Sequence, residues 1–175
     1  DLKVMFEQGA LAYREGRMAD AIAAFQRLAA QAPRHESSWI NLGVAWRQVK
    51  KPQLAVICYR RVLEINPDNA GALTNLGNAL KDLERFDEGI AAHARAVELD
   101  PQRAMAWHNY GVCLREAGDA SAALVAFDRA LALEPDHVDA HWDRALANLV
   151  LGNFAAAWPD YAWRWRLSEM KKAFK

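Results

Sequence analysis

Pro33, Pro67, Pro101 and Pro135 stand at intervals of 34 residues, and Gly9, Gly43, Gly77 and Gly111 keep the same interval, with Ala145 continuing it. A fixed period of that length means stacked supersecondary units, so it constrains the architecture before any local pattern does. Small residues recur in phase at Ala21, Ala55, Gly89, Ala123 and Ala157, and rings at Phe25, Tyr59, His93, Phe127 and Tyr161. With the first place of each unit set at Leu2, Glu36, Ala70, Ala104 and Val138, the chain divides into units 2–35, 36–69, 70–103, 104–137 and 138–168. Residues 169–175 are left as a tail or the start of a linker.

Inside one unit the apolar residues Leu73, Leu76, Ala79, Leu80 and Leu83 follow helical spacing, and Ile90, Ala94 and Val97 do so again after a break. Each unit is therefore expected to be a helix A, a short turn and a helix B. Gly16, Gly118 and Gly152 fall where a left-handed stop is wanted, Pro52 suits a first helical turn, and Asp or Asn ahead of helix B can cap it. Pro33 and its equivalents end helix B, because proline cannot donate the next hydrogen bond. The small residues at the eighth and twentieth places are expected to let the two backbones approach. A lone helix pair cannot cover its own apolar face, so the reading is an all-α, right-handed α-solenoid of five helix-turn-helix units with a C-terminal capping helix.

Trp39, Leu42, Gly43, Trp46, Ala55, Tyr59, Val62 and Pro67 in the second unit, and Trp107, Tyr110, Gly111, Leu114, Ala123, Phe127, Ala130 and Pro135 in the fourth, resemble the tetratricopeptide repeat pattern. The end units depart from it, with Met5 and Gln8 in the first and Arg144 and Ala145 in the fifth, as capping units do. The resemblance implies a protein-recognition scaffold whose A helices offer their second, fifth, sixth, ninth, twelfth and thirteenth places to a concave groove.

The sixth place reads Glu7, Asn41, Asn75, Asn109 and Asp143. An asparagine amide carries both acceptor and donors, so a file of them can pair with the backbone of an extended peptide whatever its side chains. Helices packed about 8–10 Å apart would place one amide at roughly every third residue of a strand rising about 3.3 Å per residue. The file, with Asn78 and Lys81 in "LTNLGNALKD", resembles the tetratricopeptide superhelix of O-GlcNAc transferases. The twelfth place adds Arg47, Lys81 and Arg115, which either meet acidic ligands at the rim or serve the helix dipole. At the fifth place stand Phe6, Ile40, Thr74, His108 and Trp142, without the lysine of a two-carboxylate clamp, so a chaperone C-terminus is not the expected ligand. Trp142, and Phe6 with it, can give the groove an aromatic anchor.

The expected ligand-binding residues are thus Asn41, Asn75, Asn78, Asn109, Asp143, Arg47, Lys81, Arg115, His108 and Trp142. The expected partner is a protein or an extended peptide. Nucleic acid is not expected, because 22 Lys+Arg against 22 Asp+Glu leave no positive excess to hold a phosphate backbone. No apolar stretch approaches the roughly 18 residues of a membrane span. No cofactor or metal is expected, and no catalytic motif is present, so the chain reads as a non-enzyme. His137 and His141, with Asp136 and Asp139, have metal-ligand residue types, but His137 falls in the inter-repeat turn and reads as a solvated histidine. His93 reads as a core histidine. Cys58 and Cys113 stand 55 positions apart with no base beside them, which fits two reduced packing thiols and a cytoplasmic setting. The chain begins at Asp1 without Met and reads as a piece of something longer.

The last unit carries two aromatic stripes. Phe154, Trp158, Tyr161 and Trp165 share one helical face, expected to pack on their own helix A, while Trp163, Leu167, Met170 and Phe174 form a second face roughly opposite. Pro159 inside the segment is expected to kink it or shift its start. The segment resembles the end of bacterial tetratricopeptide arrays that continue into a glycosyltransferase-like domain. The second stripe is the expected interface, with a downstream domain, with another copy, or folded back on the fifth unit. The chain is expected to be an interaction scaffold; a substrate-recognition arm of a larger enzyme and a self-assembling scaffold are the alternatives.

Overall fold

The computed structural model describes residues 2–167, and they are helical almost throughout: α1 (Leu2–Arg14), α2 (Met18–Gln31), α3 (Glu36–Gln48), α4 (Pro52–Ile65), α5 (Ala70–Lys81), α6 (Phe86–Leu99), α7 (Ala104–Glu116), α8 (Ala120–Leu133), α9 (Val138–Val150) and α10 (Phe154–Tyr161), followed by a 3-10 turn, Ala162–Arg166. There is no strand among the described residues.

The stops and starts follow local chemistry. Gly16, Gly118 and Gly152 take the left-handed conformation, with φ of 75°, 95° and 75°, and turn the chain between helices. In the two middle turns the same job falls to Lys50 and Glu84, at φ of 59° and 58°, where a side chain makes that conformation strained. Asn69 and Asp119 cap α5 and α8 by accepting from Ala72 N and Ala122 N, each at 2.9 Å. Helices α2, α4, α6 and α8 each end two residues before Pro33, Pro67, Pro101 and Pro135. The proline turns are fastened from the next helix: Trp39 Nε1 donates to Pro33 O and Trp107 Nε1 to Pro101 O, both at 3.0 Å, and His141 Nε2 lies 2.7 Å from Pro135 O.

The chain divides into two compact units, Asp1–Arg85 and Phe86–Lys175. Contacts in a solenoid are confined to neighbouring helices, so no central core ties all of the chain together. In the first unit α1 packs on α2, α2 on α3, α3 on α4 and α4 on α5. Its core includes Phe25, Leu28, Tyr59, Val62 and Leu80, all at most 2% exposed. In the second unit α6 packs on α7, α7 on α8, α8 on α9 and α9 on α10, around Phe127, Ala130, Cys113 and His93.

The glycines of the eighth place do something other than bring backbones together. A β-carbon on Gly9, Gly43 or Gly111 would lie 2.8, 2.6 or 2.5 Å from the Cε1 atom of Phe25, Tyr59 or Phe127. The missing side chain makes room for the ring of the following helix.

The C-terminal stripe also departs from expectation. Phe154 and Trp158 are 58% and 57% exposed and Trp165 is 52% exposed, so of that face it is Tyr161, half-buried beside Trp142, that meets α9. The reason is geometric: α10 has Pro159 inside it and runs for eight residues only, after which the 3-10 turn changes the angular spacing that had aligned the stripe. Trp163 turns back instead and stacks on His141 of α9, with ring centroids 3.9 Å apart and planes 11° apart. Of the other residues of the second stripe, Leu167 is half-buried, and Met170 and Phe174 lie outside the described residues.

Candidate binding site

In the first unit the exposed inner faces of the A helices meet at a cleft of about 650 Å³ lined by Tyr13, Val44, Arg47, Gln48, Asn75 and Asp82 among others. These residues come from the ninth, twelfth, thirteenth and sixth places of α1, α3 and α5, so a helical period aligned over successive units puts them on one wall. The cleft is mainly polar. Arg47 does not stand free in it, because its Nε donates to Asp82 Oδ2 at 2.5 Å from the end of the adjacent A helix. Lys81 Nζ lies 3.9 Å from the same carboxylate.

Asn41 and Asn75 are both half-buried in this unit. Asn41 Nδ2 donates to Ser37 O one turn back, at 2.8 Å, which leaves its carbonyl oxygen and second N–H outside that bond. Asn78, half-buried as well, lies one turn beyond Asn75 on α5.

The inner face of the second unit carries Asn109, half-buried, and a tied cluster of charge. His108 Nε2 lies 2.8 Å from Asp143 Oδ2, while Arg115 Nη2 donates to Asp143 Oδ1 at 3.3 Å. Asp143 therefore spends both oxygens within the protein, and the sixth-place file ends on a residue that positions α7 against α9. His108, 9% exposed, lies against His137 with ring centroids 4.9 Å apart. Trp142 is half-buried beside Tyr161, centroids 5.3 Å apart.

His137 corrects the reading of a solvated turn. It is 6% exposed, and its Nδ1 accepts from Ala140 N at 3.2 Å as the N-cap of α9. Burial, with the charge of His108 adding to it, holds its imidazole below the usual histidine range. Cys58 and Cys113 are buried free thiols, and burial pushes that of Cys58 up to about 12, so it is protonated at neutral pH. Among the described residues no group of three His, Cys, Asp or Glu side chains could hold a metal ion, and no helix is long and apolar enough to cross a membrane.

Sequence reasoning missed the network that closes the last helices. Asp160, 4% exposed, receives Arg144 Nε at 2.6 Å and Nη2 at 2.9 Å, and its Oδ1 lies 2.6 Å from His141 Nδ1. A second arm of Arg144 reaches Asp128 Oδ1 at 2.7 Å. Burial alone would raise the Asp160 carboxyl, yet the Arg144 and His141 hydrogen bonds outweigh it and hold the group below the usual carboxylate range. The signal was present in the sequence: Arg144 and His141 stand at apolar places of the repeat, where a charge needs a buried partner.

Tetratricopeptide repeat family models match this sequence over residues 6–70 and 114–166 and, separately, over 68–136. The chain belongs to the tetratricopeptide repeat family. No curated protein matches it significantly. Among solved structures, a crystal structure of MamA protein superposes with a TM-score of 0.81 at 20% identity, covering 99% of this chain and 95% of that one. A second, MamA from residue 41 to its end from Desulfovibrio magneticus RS-1, gives 0.83 at 17% identity over 98% and 96%. At such identities the likeness is one of fold. As a tetratricopeptide protein, the chain has the fold of a protein-interaction scaffold.

Proposed function

We propose that the tetratricopeptide groove takes up an extended peptide or protein segment, with the asparagines of the sixth place pairing to its backbone, and that the chain binds rather than catalyses. The observation that carries the reading is the open polar cleft of the first unit, where Asn75 shares a wall with Arg47, Gln48 and Asp82. An amide beside an internally paired guanidinium suits a strand-like ligand, because backbone N–H and C=O groups demand both a donor and an acceptor at each contact. The likeness of the asparagine file to O-GlcNAc transferases supports the same use. The likeness of the last segment to arrays that run on into a glycosyltransferase-like domain supports a role as the recognition arm of a larger enzyme.

The test is a peptide array probed with the chain, followed by fluorescence anisotropy on the best-binding peptide. Replacing Asn41, Asn75 and Asn109 by Ala together is expected to leave thermal melting nearly unchanged. Each lost hydrogen bond should weaken binding by about 0.5–1.5 kcal/mol. Full affinity in the triple variant, or a collapse in melting temperature with binding intact, refutes the assignment.

A further inference from the structure

On α3 the side roughly opposite Val44, Arg47 and Gln48 carries Trp39, Leu42 and Trp46, at the fourth, seventh and eleventh places. Helices α2 and α4 both pack on α3. Between them, over that side, a trough of about 750 Å³ is lined by Trp39, Leu42, Trp46, Leu54, Ile57 and Arg61 among others. Leu42 is 3% exposed, the two tryptophans are half-buried, and Leu54 and Ile57 are 37% and 61% exposed. The trough is internal to the array, since α2 also packs on α1 and α4 on α5.

The repeat frame shows what opens it. At the twenty-eighth and twenty-ninth places α2 has Ala29 and Ala30, where the next two B helices carry Leu63 and Glu64, then Val97 and Glu98. At the nineteenth place α4 has Leu54, where α2 and α6 have Asp20 and Glu88. The first exchange removes bulk from one wall, and the second puts an apolar side chain in water on the other. Charge departs from the average as well: residues 18–65, α2 to α4, hold seven Lys and Arg against Asp20, Glu36 and Glu64, in a chain that is neutral as a whole. All three acids are already engaged, by Arg17 at 2.6 Å, Asn69 at 2.7 Å and Arg61 at 2.5 Å. Arg27 has Ala30 three residues on, where Arg61 and Arg95 have Glu64 and Glu98 to donate to.

We propose that this trough is a second binding surface, distinct from the proposed groove of the asparagines, and that it takes the apolar face of an amphipathic helix with acidic residues along its flanks. The lining favours a helix over a strand. Trp39 Nε1 is spent on Pro33 O, and beside the Trp46 indole only Gln26 and Arg61 among the lining residues offer polar side chains. A strand laid there would bury backbone N–H and C=O groups without partners, whereas a helix satisfies its own and presents apolar residues one and two turns apart. Leu54 and Arg61 are seven residues apart on α4, a span of about 10 Å that two turns of an incoming helix match. Its acidic flanks meet Arg61 on one wall and, on the other, Arg27 of α2 and Arg34, which follows the lining Pro33.

Fluorescence anisotropy tests this with three labelled peptides, each held helical by a staple on its solvent face. One carries leucines along a single face with glutamates beside them; the second has lysines in place of the glutamates; the third is the first scrambled so that no face is apolar. The first is expected to bind, the lysine form about tenfold more weakly or worse, and the scrambled form no better than that. Ala30→Glu, the residue type of the next two units, and Ile57→Glu, at an exposed site, should each weaken the first peptide about tenfold with melting curves unchanged. Replacing Asn41, Asn75 and Asn109 by Ala should leave its affinity as it was. Failure of the first peptide to bind, equal binding of the lysine or scrambled form, or affinity that survives both trough substitutions overturns the proposal. So does loss of affinity in the asparagine variant, which would move the peptide to the other groove. Vesicles of anionic phospholipid are the remaining probe: flotation of the chain with them that is lost in Ile57→Glu would assign the trough to a membrane surface and overturn it as well.

Discussion

Tyr59 is seated on Gly43: its Cε1 atom lies 2.6 Å from where a β-carbon on that residue would be, and the ring is 1% exposed. The glycine and the ring are 16 positions apart on α3 and α4, and the same relation joins Gly9 to Phe25 and Gly111 to Phe127. An added methyl must therefore displace a buried ring hemmed in by its own helix. Gly43→Ala is expected to destabilise the first unit by about 1–3 kcal/mol, the cost of overpacking a filled site. Urea unfolding measures it, and Gly43→Ala combined with Tyr59→Leu should recover part of the loss. A neutral Gly43→Ala would show that the ring can move.

The Arg144 and Asp160 pair should matter more than a surface ion pair, because Asp160 is 4% exposed and is bonded by two side chains. Asp160→Asn is expected to cost about 1.5–3 kcal/mol at neutral pH, the range for hydrogen bonds to charged groups. Since the carboxyl is held below its ordinary 3.8, the stabilisation is complete above that value and is lost as pH falls through the lower folded value. Melting curves of the two proteins should thus converge in acid. Equal melting temperatures at neutral pH would leave the pair without energetic weight.

His137 titrates with the opposite charge but the same direction of stability. Its folded value lies below 6.5, so the unfolded chain takes up a proton first, and stability should fall as pH drops from 6.5 toward that folded value. Protonation of Nδ1 would also remove the acceptor for Ala140 N. His137→Asn keeps a capping acceptor without a titrating ring, and it should flatten the melting profile below 6.5. His108, Glu134 and Asp139 are the charged neighbours that act on it. An unaltered profile in the variant would locate the pH response elsewhere.

Arg47 in the cleft donates to Asp82, so an acidic ligand of the proposed groove would compete with that carboxylate. Affinity for an acidic peptide should fall with added salt, Arg47→Ala should flatten that dependence, and Asp82→Asn should strengthen binding by releasing the guanidinium. Isothermal titration at two salt concentrations reads all three. Weaker binding by Asp82→Asn would mean that the carboxylate, and not the guanidinium, faces the ligand.

The 34-residue recurrence of Pro33, Pro67, Pro101 and Pro135 was enough to establish helices, their ends and their repeat family, because helix stops and buried faces are properties of residue type and spacing. That Asn75 and Arg47 share one wall of the cleft was legible for the same reason, since an aligned helical period puts them on one side. What Arg47, Arg115 and Asp143 do there was not legible: their partners lie 35 and 28 positions away, and a period says which face a side chain occupies but not which charge it meets. Tertiary structure alone decided that Gly43 serves a ring and that His137 is a buried cap. It also decided that Trp163 leaves its stripe for His141 while Trp158 stays in water, because α10 ends at Tyr161 and the 3-10 turn breaks the angular register on which both stripes depended.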